Sequence, residues 1–255
     1  MIRVLLVIAL AVGANISSGG ATRAEAVLRA GGHILKWRSH APGAGTVISY
    51  AVLSGSFTVP GDMLTLSSDN CGAMHAFADI IAKSPDISIE TAKQELKAAF
   101  KAWESSAALT FVEVDDVSRA NIIIGAARSE GGRAFANLSF RNIQGHPLLA
   151  KGLGKTSPDD WINSGEAGEP DGSEFVPIEQ AHVCLSPQMR WKVGFDGNVD
   201  IYDLRYTFTH EIGHAIGLDH PGKSGSVMAY RYEERVQQLA PSDISAVQKL
   251  YGSRK

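Results

Sequence analysis

The sequence predicts an α/β (α+β) fold, a mixed twisted sheet with one histidine-bearing helix and a C-terminal helix. Three observations predict it. Short β-branched runs alternate with long stretches of helical period, which places strands and helices in turn along one chain. One run, "ANIIIGA" (Ala120 to Ala126), is so uniformly apolar that it belongs in the middle of a sheet, covered on both faces. The chain has 255 residues and 44% hydrophobic content, enough to bury a sizeable core.

The first 26 residues, "MIRVLLVIALAVGANISSGGATRAEA", stand apart from the fold. Arg3 precedes an apolar run from Val4 to Val12 that is too short to cross a bilayer, and Ala24-Glu25-Ala26 offers a small-x-small cleavage site. This pattern predicts a signal peptide over 1–26, a short N-terminal segment over 27–34 and one domain over 35–255, exported to the periplasm or secreted, with no membrane span in the mature chain.

Within the domain, "TVISYAVLSGSF" alternates as a strand should, with Val47, Ser49 and Ala51 against Ile48, Tyr50 and Val52. "SIETAKQELKAAFKAWESS" predicts a helix capped by Ser88, with Ala92, Leu96, Ala99, Phe100 and Trp103 on its core face and Lys93, Glu95, Lys97 and Lys101 elsewhere. "LTFVEV" (Leu109 to Val114) precedes the apolar strand. From 141 to 177 a Gly-, Pro- and acid-rich stretch without a period predicts a long surface loop, whose Asp159, Asp160, Glu166, Glu169, Asp171 and Glu174 carry oxygens suited to calcium. "QAHVCLS" reads as a strand. "DIYDLRYTFTHEIGHAIG" then predicts a helix ending at Gly217, and "LAPSDISAVQKLYG" a last one with Pro241 in its first turn and Gly252 at its stop.

A net charge of -3 with no basic run gives no electrostatic footprint for nucleic acid or an anionic membrane surface. The two cysteines, Cys71 and Cys184, are an even count in an exported chain and are expected to form a disulfide. Two buried thiols, or a metal-binding role for Cys71, are the other readings.

"THEIGHAIGLDHPGKSGSVMAY" carries the chemistry. His210 and His214, four apart on a helix, project two imidazoles to one side at a spacing that one metal ion bridges. Gly217 takes a left-handed conformation and turns the chain so that His220 returns to the same ion. Three imidazoles leave one position open, the mark of a catalytic zinc site, where the pKa of bound water falls from about 15.7 to about 7. Glu211, beside the first ligand, then serves as general base and acid. These five residues recur by chance in a chain of this length with odds on the order of 10⁻⁵, which disfavours two ordinary core histidines.

"HEIGHAIGLDH" matches HExxHxxGxxH, and the chain thereby resembles the metzincin clan of zinc metalloendopeptidases. The resemblance implies a metzincin fold, a single catalytic Zn2+ and a protein or peptide substrate, with a monomer expected. "SVMAY" is similar to the clan's Met-turn, which would place Met228 as a floor beneath the imidazoles. Tyr230 sits where the astacin and serralysin branches carry a tyrosine that binds zinc at rest and stabilises the oxyanion, although a tyrosine here could instead pack the specificity-pocket wall. "AFKAWESSAALTFVEV", "ANIIIGAA" and "DISAVQKLYG" resemble matrixin segments, and the eight-residue step from His220 to Met228 is as short as in matrixins.

The sequence departs from matrixins in two places. "ARSEGGRAFANLSF" has no histidine where matrixins hold a second, structural zinc, leaving only His182 in a matching position. "DNCGAM" shares only Cys71-Gly72 with the matrixin propeptide switch. On the substrate side, "RAFANLSF" (Arg133 to Phe140) is the candidate edge strand for an extended peptide. The side chain after the scissile bond would enter between the zinc helix and the segment that includes "YRYEERV". A non-catalytic binding protein on the same fold and an amidase acting on a cell-wall peptide are the alternatives.

Overall fold

A computed structural model describes residues 26–30, 32–39, 45–59, 64–65, 71–128, 133–140 and 175–254. The predicted signal segment, apart from Ala26, and the acidic stretch proposed for calcium lie outside these residues.

The chain opens with a hairpin, Arg29–Ala30 (β1) against His33–Lys36 (β2), turned at Gly32 with φ +84°. Thr46–Val52 (β3), Phe57–Thr58 (β4), Leu64–Thr65 (β5) and Ala73–Met74 (β6) follow, then a 3-10 turn at Phe77–Ile81 and the helix Ile89–Ser106 (α1). Leu109–Glu113 (β7), Ile122–Ala126 (β8), Ala134–Phe140 (β9) and Val176–Leu185 (β10) complete the main sheet. Trp191–Lys192 (β11) pairs with Tyr202–Asp203 (β12) just before the helix Leu204–Ala215 (α2), and Pro241–Tyr251 (α3) closes the chain.

The main sheet is mixed, as predicted. Among the described residues its order is β1-β2-β10-β8-β3-β7, with β9 antiparallel to β10 on the other side and β5 antiparallel to β9. β2, β10, β8, β3 and β7 run parallel to one another. The apolar run Ile122–Ala126 is buried along its whole length between β3 and β10. β2 joins the main sheet through Leu35 and Lys36, which pair with Val176 and Pro177 of β10.

α1 forms where expected, with the Ser88 hydroxyl accepting from the Thr91 amide at 3.0 Å. Its core face is the predicted one, and Trp103, fully buried, donates its indole N–H to the Thr209 carbonyl of α2 at 2.9 Å. Glu95, predicted outside that face, is also buried, because Arg205 of α2 reaches its carboxylate at 2.6 and 3.1 Å.

Several boundaries differ from expectation. β3 ends at Val52 and Phe57 belongs to a separate short pair with Met74. The loop expected up to 177 gives way earlier to β10, whose first residues Val176 and Pro177 pair with β2. The histidine helix begins at Leu204 rather than Asp200, because the Asp203 carboxylate caps it by accepting from the Tyr206 amide at 2.8 Å while Tyr202 and Asp203 pair as strand. It ends at Ala215, two residues before Gly217.

Cys71 and Cys184 form a disulfide with Cα atoms 5.7 Å apart. Cys184 stands on β10 opposite Phe135 of β9, so the bridge pins the segment before β6 against that strand pair. A bridged Cys71 offers no thiolate, which removes the reading of this residue as a metal ligand.

Candidate metal centre

Two elements bring the three imidazoles together. His210 and His214 lie one turn apart on α2, and His220 returns on the turn that follows Gly217, whose φ is +93°. The three Nε2 atoms stand 3.1 Å (His210 to His214), 3.2 Å (His214 to His220) and 3.2 Å (His210 to His220) apart. Among the described residues no other cluster of histidine, cysteine or carboxylate ligands converges in this way.

These short distances are not hydrogen bonds. His210 Nδ1 faces the Val227 carbonyl at 2.7 Å and His214 Nδ1 faces the Leu218 carbonyl at 2.8 Å. A carbonyl only accepts, so both Nδ1 atoms carry the ring proton and both Nε2 atoms present lone pairs. Burial keeps the rings neutral. It lowers the His210 pKa to about 4, pushes His214 well below the usual imidazole range and lowers His220 as well. Lone pairs facing one another at 3.1 Å repel unless a cation lies between them. Tetrahedral ligands at about 2.0 to 2.1 Å from zinc stand about 3.3 Å apart, so the donor set and its spacing fit that ion.

Glu211 adds to the fit. Its side chain is buried, no hydrogen bond or ion pair reaches its carboxylate among the described residues, and burial alone raises its pKa to about 8. A cation among the neighbouring rings is the counter-charge that such a carboxylate lacks.

Two residues shape the surroundings of the rings. Met228, 1% exposed, packs against α2 at Gly213, which lies between His210 and His214 in the chain: a Cβ built on Gly213 would meet its Sδ at 2.2 Å. Gly213 is what admits it. Asp243, buried at the start of α3, accepts from the Ser226 hydroxyl, from the Val227 amide at 3.0 Å and from the Ala240 amide at 2.9 Å. It thereby fixes Val227, whose carbonyl orients His210. Sequence reading missed Gly213 and Asp243. A glycine inside a helix, where it costs about 1 kcal/mol relative to alanine, was the available signal for Gly213.

Gly217 does more than turn the chain. Its missing Cβ would stand 2.3 Å from the Leu35 carbonyl, so β2 passes directly over it. Tyr230 is 83% exposed with its ring edge-on to His220, centroids 5.4 Å apart, and so does not pack into a pocket wall. Tyr232, in the segment after Met228, stacks on Tyr202 at 4.3 Å and meets Tyr206 of α2 edge-on at 4.7 Å.

His182 is fully buried on β10, with Nε2 3.1 Å from the Gln180 side-chain oxygen, and belongs to no ligand cluster among the described residues. The candidate edge strand is partly covered. β5 pairs with β9 at Ser139 and Phe140, whereas no strand among the described residues pairs with the outer edge of Ala134 to Ala136.

The matrixin family profile matches residues 75–252. Matrilysin of Mus musculus is 30% identical over 179 residues, covering 69% of this chain and 56% of the relative. Metalloendoproteinase 1-MMP of Arabidopsis thaliana is 29% identical over 168 residues (64% and 38%), and matrix metalloproteinase-26 of Homo sapiens 45% identical over 101 residues (38% and 37%). The chain thus spans about half, or less, of the length of these relatives. The matched span runs from just before the 3-10 turn to the end of α3 and contains all three converging imidazoles, Glu211 and Met228, and on this evidence the chain belongs to the matrixin family.

Proposed function

We propose that this protein is a secreted zinc endopeptidase that hydrolyses peptide bonds, with His210, His214 and His220 as metal ligands and Glu211 as general base and acid. The observation that carries this reading is the convergence of three imidazoles, two of them oriented by backbone carbonyls, beside a buried carboxylate without a partner. Bound zinc supplies a Lewis acid that brings the pKa of a water ligand from about 15.7 to about 7.

The chain's own groups do the rest. Glu211 takes a proton from the attacking water and returns it to the departing amine, and its buried setting, which favours the protonated carboxyl, suits the return. The Tyr230 hydroxyl, exposed beside His220, donates a hydrogen bond to the developing oxyanion. An extended peptide adds to the sheet along the outer edge of β9 at Ala134 to Ala136, held by backbone bonds that tolerate varied sequence. Tyr206 and Tyr232 close the gap between α2 and the segment after Met228, which favours small side chains after the scissile bond. The N-terminal segment over 1–26 directs export, and no helix among the described residues is long and apolar enough to cross a membrane.

Casein or peptide-library hydrolysis tests the proposal. Turnover should vanish with a chelator, return with zinc and fall by at least about 10³-fold in Glu211→Ala, the scale on which removal of a catalytic group acts. Binding of peptides without turnover in the zinc-loaded wild type would instead support a non-catalytic role.

A further inference from the structure

We infer that the N-terminal segment is a clamp that positions His220, acting through the backbone of Leu28 and Leu35 and the side chain of Trp37; the inference rests on the metal reading of the triad. His220 differs from the other two histidines in its support. His210 and His214 are carried by a helix, whereas His220 sits on an irregular turn. That turn is tied to α2 by the Gly217 amide to the His214 carbonyl at 2.8 Å and the Leu218 amide to the Gly213 carbonyl at 2.9 Å. Both bonds lie before Asp219.

The ties that follow come from the other end of the chain. The Leu28 amide donates to the Gly217 carbonyl at 2.8 Å, and the Asp219 amide donates to the Ala26 carbonyl at 3.0 Å, so that Val27 and Leu218 form an antiparallel bridge. Leu28, which remains once 1–26 is removed, thereby holds the turn at Gly217. Trp37 donates its indole N–H to the Ala215 carbonyl at 2.9 Å, and the Tyr251 hydroxyl serves the Ile216 carbonyl at 2.7 Å. Four successive carbonyls, from Ala215 to Leu218, thus each receive a donor, two from the N-terminal segment, one from α3 and one from His214 itself.

The clamp has a fixed base. The Leu35 amide donates to the Leu28 carbonyl at 2.9 Å, and Leu35 and Lys36 pair with β10 in the main sheet. Leu35 also lies against Gly217 so closely that only glycine fits there. The position of the His220 turn is accordingly set by the sheet through β2 as well as by α2. Groups that orient metal ligands without touching the metal typically change affinity by about 10- to 100-fold when removed. Leu28 acts here as such a positioning residue through its N–H.

The test compares Leu28→Pro, which removes the amide donor, with Leu28→Ala, which removes the side chain and keeps the donor, in the full chain. Zinc affinity is read by competition with a chromophoric chelator, and the melting temperature is read separately in excess chelator. The clamp predicts zinc binding about 10- to 100-fold weaker in Leu28→Pro, affinity within about threefold of wild type in Leu28→Ala, and similar melting temperatures for the two variants. Equal zinc affinity in both variants overturns it, as does a loss of affinity that only tracks melting temperature. Should Leu28→Pro fail to fold, amide hydrogen exchange of the wild type decides: zinc must slow exchange at Leu28 more than at Ile124 in the core, and no such difference overturns the clamp. A wild-type chain that binds no zinc overturns the metal reading itself, which distinguishes the two failures.

Discussion

The Sδ atom of Met228 occupies the space that a side chain at Gly213 would need, since a Cβ there would lie 2.2 Å away. Gly213→Ala should therefore destabilise the protein by about 1 to 3 kcal/mol despite the better helix propensity of alanine, because crowding in a packed core outweighs about 1 kcal/mol of propensity. Adding Met228→Ala should recover part of that loss. Urea denaturation of the two single variants and the double variant gives the coupling directly.

Asp243 holds three donors behind His210, from Ser226, Val227 and Ala240. Asp243→Ala strands them in a buried site at a cost of about 1 to 3 kcal/mol for each unsatisfied group. Zinc affinity should fall by about 10- to 100-fold as the Val227 carbonyl loses its fixed place. Chelator competition and chemical denaturation measure the two effects separately.

The disulfide spans 113 residues of sequence. Replacing both cysteines with serine should cost about 2 to 5 kcal/mol, and a reductant should lower the melting temperature of wild type but leave that of the variant unchanged.

Burial without a charged partner lowers the His182 pKa to about 4, against about 6.5 unfolded. Between these values the unfolded chain binds more protons than the folded one, so stability falls as pH drops through that window. His182→Leu should remove about 2 kcal/mol of the loss in unfolding free energy between pH 7 and pH 5, read from denaturation curves at the two pH values.

Tyr206 and Tyr232 meet across the gap that would receive the side chain after the scissile bond. Tyr206→Ala should shift kcat/KM toward peptides with large aromatic residues there by about 10-fold or more relative to alanine, as expected when a pocket gains room for a few methylenes. An unchanged ratio would place the specificity wall elsewhere.

Local patterns made much of this legible in advance. The Ser88 cap and apolar face of α1, the buried run of β8 and the Pro241-to-Gly252 limits of α3 follow from spacing alone. The triad was legible because helix geometry fixes two ligands and a glycine fixes the turn to the third. What sequence could not supply were contacts between distant segments: Glu95 with Arg205, Asp243 with the Val227 peptide, and Ala26 and Leu28 with the His220 turn. None leaves a periodic trace, because each pairs residues chosen by the packed fold rather than by their neighbours. The start of the histidine helix was misplaced for a related reason, since the strand pairing of Tyr202 with Trp191 overrides local helical character.

The most direct measurement is the zinc content of purified protein after dialysis against metal-free buffer. One zinc per wild-type chain, lost in His214→Ala, is the predicted result. A correctly folded wild type that retains no stoichiometric zinc, or a His214→Ala variant that retains it as tightly, would contradict the account.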